Sequence, residues 1–262
     1  PGKRFKVGSE VLFYPKTGRT EDEAKLNIAD LAIQRGYGIF DFLKTINGKA
    51  IFIDDHFNRF YASANALNLP VKYDRKTLLN MVYELMESNQ MPNSGIKMIL
   101  TGGFSNDGYS LAEPNLIINQ TPFQMDEGSF DKGMRLITHN HQRQLSNIKT
   151  IDYLQAILLQ PKVKQQLADD ILYHHNGAIR ECPRANFFMV KGNTIATPKT
   201  SILWGITRCK ILNFSIAGYN ITDQDFTLED LATADEAFIT SSTKNIMPIL
   251  NIDGNDVGNG KV

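Results

Sequence analysis

The chain has 262 residues, 42% of them hydrophobic, which is enough to bury the core of one or two domains. Lys plus Arg and Asp plus Glu each number 28, so no global charge recruits nucleic acid or an anionic membrane, and we expect a small-molecule partner. The two cysteines, Cys182 and Cys209, fit neither a disulfide framework nor a zinc site and indicate a cytoplasmic protein. No apolar run approaches the roughly twenty residues of a membrane span.

The first half of the chain alternates strand and helix signals. Apolar runs predict strands at 11–14, 40–46, 51–53, 96–100 and 115–118. The Asn47-Gly48-Lys49 segment carries a hairpin signal between the second and third of these strands. The polar stretch Asn119-Gln120-Thr121-Pro122 then predicts an interdomain linker.

Two helices are predicted between the third and fourth strands. Asp54 or Asp55 is expected to cap the first helix. Its apolar stripe is Phe57, Phe60, Tyr61, Ala64 and Leu67, and that of the second helix is Leu78, Leu79, Val82, Leu85 and Met86. Arg59 lies about 200° around the first helix from Phe57 and therefore off the stripe. It is free to contact another group.

The second half is predicted to be richer in strands. A strand near 134–137 precedes a helix that starts at about Asp152 and that Pro161 should kink or divide. Asn176-Gly177 predicts a tight hairpin between strands at 171–175 and 178–180. Further strands at 187–190, 194–197 and 237–240 are predicted, the first two joined by a turn at 191–193.

Two segments have the form of a phosphate site. In Gly205-Ile206-Thr207 a glycine precedes a predicted helix, whose first N–H groups carry partial positive charge and favour an anion. Ser241-Ser242-Thr243 presents three hydroxyls directly after a strand. Taken singly, such segments are more often a helix cap and a polar turn.

Lys149, in Asn147-Ile148-Lys149-Thr150, and Glu181 suggest cofactor chemistry. A lysine amine condenses with an aldehyde cofactor, and a carboxylate farther along can keep the ring nitrogen of that cofactor protonated. Together they suggest pyridoxal phosphate (PLP). A lysine alone would be a solvated surface charge.

Ordered motifs along almost the whole chain resemble one family of PLP enzymes. The motifs are 35–41 (Arg-Gly-Tyr-Gly-Ile-Phe-Asp), 55–60 (Asp-His-Phe-Asn-Arg-Phe), 148–150 (Ile-Lys-Thr), 205–208 (Gly-Ile-Thr-Arg), 242–243 (Ser-Thr) and 252–254 (Ile-Asp-Gly). With them the chain resembles the class IV aminotransferases of fold type four, which include branched-chain aminotransferases, D-amino-acid transaminases and aminodeoxychorismate lyases.

The resemblance implies an α+β, two-domain fold of the D-amino-acid aminotransferase type. We expect a small N-terminal α/β domain at 1–118, a linker at 119–124 and a larger, β-rich, PLP-binding domain at 125–262. Members of the family are homodimers whose active sites borrow loops from the neighbouring subunit. The glycine-rich segment 102–108 is a candidate for such a loop.

The resemblance also implies roles for individual residues. Lys149 forms the Schiff base and later carries the substrate proton, Glu181 pairs with the pyridine nitrogen, and Tyr153 approaches the phenolic oxygen. The residues that would bind the cofactor phosphate are Arg59, Ile206, Thr207, Ser242 and Thr243. Asn186 matches a family motif, although a turn asparagine is an equally good interpretation.

The substrate segment departs from the usual D-amino-acid transaminase pattern. Residues 101–109 lack the arginine and histidine that grip the substrate carboxylate in that pattern, and Phe40 replaces a tyrosine. Arg35 or Lys97 could supply the missing cation, although both could equally be surface charges on strand ends. Gly36 and Gly38 are interpreted as turn residues.

The sequence is compatible with three functions. The first is transfer of an amino group between an α-amino acid and a 2-keto acid, with a D-amino acid favoured over a branched-chain one because of the closing segment 238–254. The second is aminodeoxychorismate lyase, which eliminates pyruvate with the same lysine. The third, a non-enzymatic binding module, is disfavoured by the intact Lys149, Glu181 and Arg59.

We expect no metal site, because the histidine pairs lack further ligands at metal-binding spacing.

Overall fold

A computed structural model describes residues 11–14, 17–20, 25–123 and 129–261. The chain separates into two compact units. The first comprises Pro1–Gln124 with Ile148–Asp152, and the second comprises Met125–Asn147 with Tyr153–Val262. None of the helices in these described ranges has the length and apolar character needed to cross a membrane.

The first unit is built on an antiparallel sheet of six strands in the order β2-β1-β6-β5-β3-β4. Its elements are β1 (Val11–Tyr14), β2 (Thr17–Thr20), α1 (Leu31–Arg35), β3 (Gly38–Ile46), β4 (Lys49–Ala50), α2 (Ile53–Ala66), α3 (Arg75–Asn89), β5 (Ser94–Thr101) and β6 (Leu116–Pro122). The predicted apolar stripes of α2 and α3 are confirmed, because Phe57, Phe60, Leu78, Val82 and Leu85 lie in the core.

Period-two alternation places Ile39, Asp41 and Leu43 of β3 on one face of the sheet, and all three are fully buried. Phe40 and Phe42 point to the opposite face and are half-buried. A carboxylate therefore lies on the core face of β3, where it requires polar partners.

The strand predicted at 51–53 is wrong. Strand β4 ends at Ala50, and α2 begins at Ile53 directly after Phe52, whose φ of 53° is left-handed. The predicted caps, Asp54 and Asp55, instead lie in the first turn of α2. Carboxylates favour that position as well as the cap because the helix N-terminus is partly positive, so the same signal fits both positions.

The predicted linker at 119–122 is also wrong as secondary structure, because these residues form the second half of β6. Gln120 is fully buried, and its side chain donates to Ser94 Oγ at 2.7 Å. Polar residues are tolerated inside the sheet because the neighbouring strand satisfies them. Of the two remaining linker residues, Phe123 donates its N–H to the Asn93 carbonyl at 3.2 Å, and Gln124 lies outside the described residues.

The second unit contains a ten-stranded sheet, whose main path runs β13-β12-β11-β14-β15-β7-β8-β9. Its elements are α4 (Ser129–Lys132), β7 (Met134–Asn140), α5 (Leu154–Leu158), α6 (Gln160–Gln165), β8 (Asp170–His175), β9 (Ala178–Ile179), β10 (Glu181–Cys182), β11 (Ala185–Lys191), β12 (Thr194–Thr197), α7 (Ile206–Leu212), β13 (Asn220–Asp223), α8 (Leu228–Leu231), β14 (Glu236–Ser241), β15 (Asn245–Ile252) and β16 (Asn255–Asp256). Strand β10 pairs with β11, and β16 pairs with β15.

The proline and the turn residues of this unit have the effects that the sequence predicts. Pro161 lies in the first turn of α6, and the helical stretch divides at Leu159. Asn176 and Gly177 have φ of 49° and 88°, the left-handed values of a tight hairpin turn between β8 and β9. The hairpin of β11 and β12 is likewise confirmed.

One segment of the predicted C-terminal domain groups with the first unit. Residues Ile148–Asp152 lie alongside β3. There Phe40 N–H donates to the Lys149 carbonyl at 3.0 Å, and Ile151 N–H donates to the Gly38 carbonyl at 3.1 Å. Gly38 begins β3 and is not a turn residue, whereas Gly36 is the left-handed cap of α1. A Cβ on Gly38 would lie 2.8 Å from the Leu100 oxygen and 3.1 Å from Ile151, so this packing requires glycine.

Candidate active site

Hydrogen bonds hold the backbone of Lys149 at both its N–H and its carbonyl. Its carbonyl accepts from Phe40 N–H, and its own N–H donates to Ser63 Oγ at 3.3 Å. The neighbours Ile148 and Thr150 are buried. The backbone of Lys149 is therefore fixed by β3 and α2, which restricts the positions that its amine can reach.

Two lysines contact one aromatic ring. The Lys149 ammonium lies 4.6 Å from the centre of the Phe40 ring, and the Lys97 ammonium lies 5.0 Å from it. Both distances are in the range of cation–π attraction. Burial lowers the pKa of Lys97. The first unit thus brings together three predicted site residues, Lys149, Phe40 and Lys97.

Arg59 is engaged by a buried carboxylate. Its Nε donates to Asp41 Oδ2 and its Nη2 donates to Asp41 Oδ1, both at 2.8 Å. His56 Nδ1 lies 2.7 Å from Asp41 Oδ1. Burial by itself raises the pKa of Asp41, but the Arg59 charge and the hydrogen bonds from Arg59 and His56 outweigh burial and hold this pKa well below its usual range. Arg59 is off the core stripe of α2, as predicted.

Arg35, the alternative cation, lies in the last turn of α1. Its guanidinium is exposed and donates to the carbonyl of its neighbour Gln34 at 2.9 Å. Of the two cations considered for the substrate carboxylate, only Lys97 contacts Phe40 together with Lys149.

In the second unit, Glu181 is a buried carboxylate with two strong partners. Arg143 Nη1 donates to its Oε1 at 2.8 Å, and Leu203 N–H donates to its Oε2 at 3.0 Å. Arg143 belongs to no helix or strand and was not among the predicted site residues. The sequence offered no signal for the pair, because these residues stand 38 positions apart.

Asn186 links Glu181 to the start of α7. It lies in β11, so the interpretation as a turn residue is wrong. Its amide donates to the Leu203 carbonyl at 2.7 Å and approaches Glu181 Oε2 at 3.4 Å, while its Oδ1 accepts from Gly205 N–H at 3.1 Å. A Cβ on Gly205 would collide with that oxygen. Glycine at 205 thus allows Asn186 to fix the loop that leads into Ile206 and Thr207.

A buried hydroxyl lies beside Asn186. Thr240 of β14 is the register partner of Asn186 and is 1% exposed, and its Oγ1 has no hydrogen-bond partner within the described residues. A buried polar group without a partner costs free energy unless a ligand or water satisfies it. Thr240 was not predicted from the sequence.

The remaining predicted cofactor residues lie at element ends of the second unit. Ser242 and Thr243 form the turn after β14, where Ser241 Oγ lies 3.2 Å from Thr243 Oγ1. Tyr153 is the residue before α5. Among the described residues no group of three or more His, Cys, Asp or Glu could hold a metal ion.

Comparison with known proteins identifies the family. The family model described as amino-transferase class IV matches residues 38–252, which is most of the chain. The chain belongs to the class IV aminotransferases. The resemblance inferred from the ordered motifs is thereby confirmed, as is an activity that transfers amino groups. Members of this family are PLP enzymes.

The relatives of this class IV aminotransferase include D-alanine aminotransferases. That of Listeria innocua is 32% identical over 251 residues, which cover 92% of this chain and 86% of the relative. That of Bacillus licheniformis is 29% identical and covers 91% and 87%.

Solved structures confirm the α+β fold of this class IV aminotransferase. The branched-chain amino acid aminotransferase of Escherichia coli superimposes with a TM-score of 0.88, at 22% identity, over 98% of this chain and 90% of the other. That of Thermoproteus uzoniensis with norvaline gives a TM-score of 0.84, at 25% identity, over 95% and 89%.

Proposed function

We propose that Lys149 is the catalytic lysine of this PLP-dependent aminotransferase and that the amino donor is a small D-amino acid of the D-alanine type. The observation that carries the proposal is the placement of the Lys149 amine on the Phe40 ring, from a backbone that β3 and α2 hold. The substrate class comes from the named D-alanine relatives.

The residues present fit pyridoxal phosphate. Glu181 is a buried carboxylate, which suits a protonated ring nitrogen, and Thr240 is a buried hydroxyl that lacks a partner among the described residues. When bound, pyridoxal phosphate supplies an aldehyde that takes up the amino group and a ring that accepts electrons as the Cα–H bond breaks.

The Lys149 amine would bind the aldehyde group of the cofactor and would be the base that takes the proton from the substrate Cα. Nucleophilic attack requires the neutral amine. The same amine would hold that proton and return it. Both tasks need a lysine whose position is restricted, as that of Lys149 is.

Glu181 supplies a negative charge to the ring nitrogen. Arg143 and Leu203 N–H fix its carboxylate, so this charge would be oriented before the cofactor binds. Tyr153 would contact the phenolic oxygen of the cofactor. Each of these roles follows from the family motifs that the residues match.

The phosphate is the anchor. Arg59, the N–H groups of Ile206 and Thr207, and the hydroxyls of Ser242 and Thr243 would bind its oxygens through charge-assisted hydrogen bonds. Asn186 supports them by holding Gly205. These residues would thereby fix the position of the cofactor relative to Lys149.

Lys97 is the favoured cation for the substrate carboxylate. Its ammonium contacts the same ring as the Lys149 amine, and a carboxylate bound to it would present Cα near Lys149. Phe40 would then line the substrate site between the two lysines. Arg35 remains the alternative.

A half-reaction panel tests the proposed function. The yellow enzyme is mixed with D-alanine, D-glutamate, L-valine or L-alanine, and loss of its visible band is followed. We expect the D-amino acids to react fastest. The aminated enzyme should then regain its visible band when pyruvate or 2-oxoglutarate is added. A preference for L-valine would overturn the substrate assignment, and release of pyruvate from aminodeoxychorismate without amino transfer would indicate the lyase.

Assembly and location complete the proposal. We propose that the chain acts as a homodimer, as the family resemblance implies, and that it is cytoplasmic, as its two cysteines indicate. Helix α5 supports dimerisation because Leu154, Ile157 and Leu158 expose most of their apolar side chains.

A further inference from the structure

The contacts of Arg59 in the first unit show how its guanidinium is oriented. Asp41 is fully buried on the core face of β3, and it binds Nε and Nη2 of Arg59 as a fork. Among the described residues the third nitrogen, Nη1, has no hydrogen-bond partner. The Arg59 side chain remains 13% exposed. One edge of the guanidinium is thus fixed by the protein while another is available to a ligand.

We propose that Asp41, supported by His56, is a positioning residue that aims the free edge of Arg59 at the cofactor phosphate. Bidentate pairing fixes the plane of the guanidinium, which a single hydrogen bond cannot do. This inference rests on the proposed function, in which Arg59 binds the phosphate.

His56 completes the support as a neutral donor. Burial lowers the pKa of His56, and the charges of Arg59 and Lys149 act in the same direction against the opposing effect of Asp41. A neutral imidazole with its hydrogen on Nδ1 donates to Asp41 Oδ1, as the 2.7 Å distance requires. The 3.4 Å approach of Arg59 Nη2 to His56 Nδ1 is then a contact between two donors that share Asp41.

Positioning and net charge predict opposite results when Asp41 is neutralised. If only charge mattered, Asp41→Asn would remove an anion next to the phosphate and tighten binding. If orientation matters, the same change breaks the fork and weakens binding. The sign of the effect therefore decides between the two explanations.

The test compares pyridoxal phosphate with pyridoxal, which lacks the phosphate, as ligands of the full-length protein. Affinities are measured by equilibrium dialysis for the parent, Asp41→Asn, Arg59→Ala and the double variant. We expect Asp41→Asn to lower the affinity for pyridoxal phosphate about tenfold and to leave the affinity for pyridoxal nearly unchanged. In the Arg59→Ala background the Asp41 change should add nothing. Asp54→Asn, which breaks the exposed pair with Arg75 at the start of α2, is the matched control and should leave both affinities unchanged.

Three results would overturn the inference: tighter binding of pyridoxal phosphate by Asp41→Asn, no change in its affinity, or equal weakening of both ligands, which indicates general loss of structure. Should Asp41→Asn fail to fold, Arg59→Lys decides, because a lysine paired with Asp41 keeps the charge but loses the fork. Full retention of phosphate selectivity by that variant would also overturn the inference. A parent protein that binds the two ligands equally would instead contradict the proposed function.

Discussion

Lys97 and Arg35 carry the same charge, but their surroundings differ. Lys97 is half-buried on the Phe40 ring, whereas Arg35 is exposed at the end of α1. We expect Lys97→Met to slow the amino-acid half-reaction at low substrate about 10- to 100-fold, because one charge-assisted hydrogen bond is lost. Stopped-flow loss of the visible band measures the effect.

Arg35→Met is the control for that variant, and it should react like the parent. The affinity for pyridoxal phosphate should be unchanged in both variants. If Lys97→Met kept the parent rate while Arg35→Met lost it, the carboxylate site would have been assigned to the wrong cation.

Asp41 makes stability depend on pH in a defined direction. Because its pKa is lowered on folding, its ion pair stabilises the protein above the unfolded-state value, near pH 4, and this stabilisation is lost as the pH falls toward the folded-state value. We expect Asp41→Asn to lower the free energy of unfolding by about 3 kcal/mol at pH 7, the cost of breaking a buried pair. Urea unfolding from pH 7 to pH 2.5 should show this difference shrinking below pH 4. A difference that stayed constant over that range would contradict the assignment.

The sequence carries a signal for Asp41, although Asp41 is not among the predicted site residues. Ile39, Asp41 and Leu43 alternate on one face of a predicted strand, so a carboxylate among apolar neighbours must have a partner. Arg143 carried no such signal, because it lies in a loop and its pairing with Glu181 is a tertiary contact that no local pattern encodes.

Strand β11, the 203–205 loop and helix α7 are joined through one side chain. The Asn186 amide donates to the Leu203 carbonyl and accepts from Gly205 N–H, so we expect Asn186→Ala to remove both of these side-chain hydrogen bonds. The loop would then keep only the backbone hydrogen bond from Gly205 N–H to the Leu203 carbonyl. The variant should lose about 1–3 kcal/mol in free energy of unfolding, and its affinity for pyridoxal phosphate should fall.

Asn220 of β13 is exposed, and Asn220→Ala is the matched control in the same urea titration. It should unfold like the parent. Equal stability of the two variants would show that Asn186 does not hold the loop.

Elements with strong local signals were predicted well, and their ends less well. Turn residues fixed the β8–β9 hairpin, and Pro161 divided α5 from α6, because each acts through its own backbone. The start of α2 was misplaced because Asp54 and Asp55 suit both a cap and a first turn. The polar end of β6 was mistaken for a linker because its partners come from β5, which no local signal reveals.

At the scale of the whole molecule, the candidate site residues could be named only through the ordered family motifs. Lys149 belongs to the first unit and Glu181 to the second, and no periodicity or spacing relates them. Local physics explains how each residue is held, whereas the common task assigned to them comes from the family.

The proposed homodimer gives a further prediction. Sedimentation equilibrium at micromolar concentration should yield about twice the 29.5 kDa of the chain. Leu154→Ser with Leu158→Ser should lower the association constant if α5 lies in the interface, and Leu167→Ser, another exposed leucine, should not. A fully active monomer would contradict the proposal.

Lys149 is proposed to carry the cofactor, and borohydride reduction followed by peptide mapping tests this role most directly. Reduction of the yellow enzyme should fix one pyridoxyl group per chain on the peptide that contains Lys149. The Lys149→Ala variant should incorporate none. Lys97 is an internal control, because its amine contacts the same Phe40 ring. A pyridoxyl group found on Lys97 or any other lysine, or on none, would contradict the account.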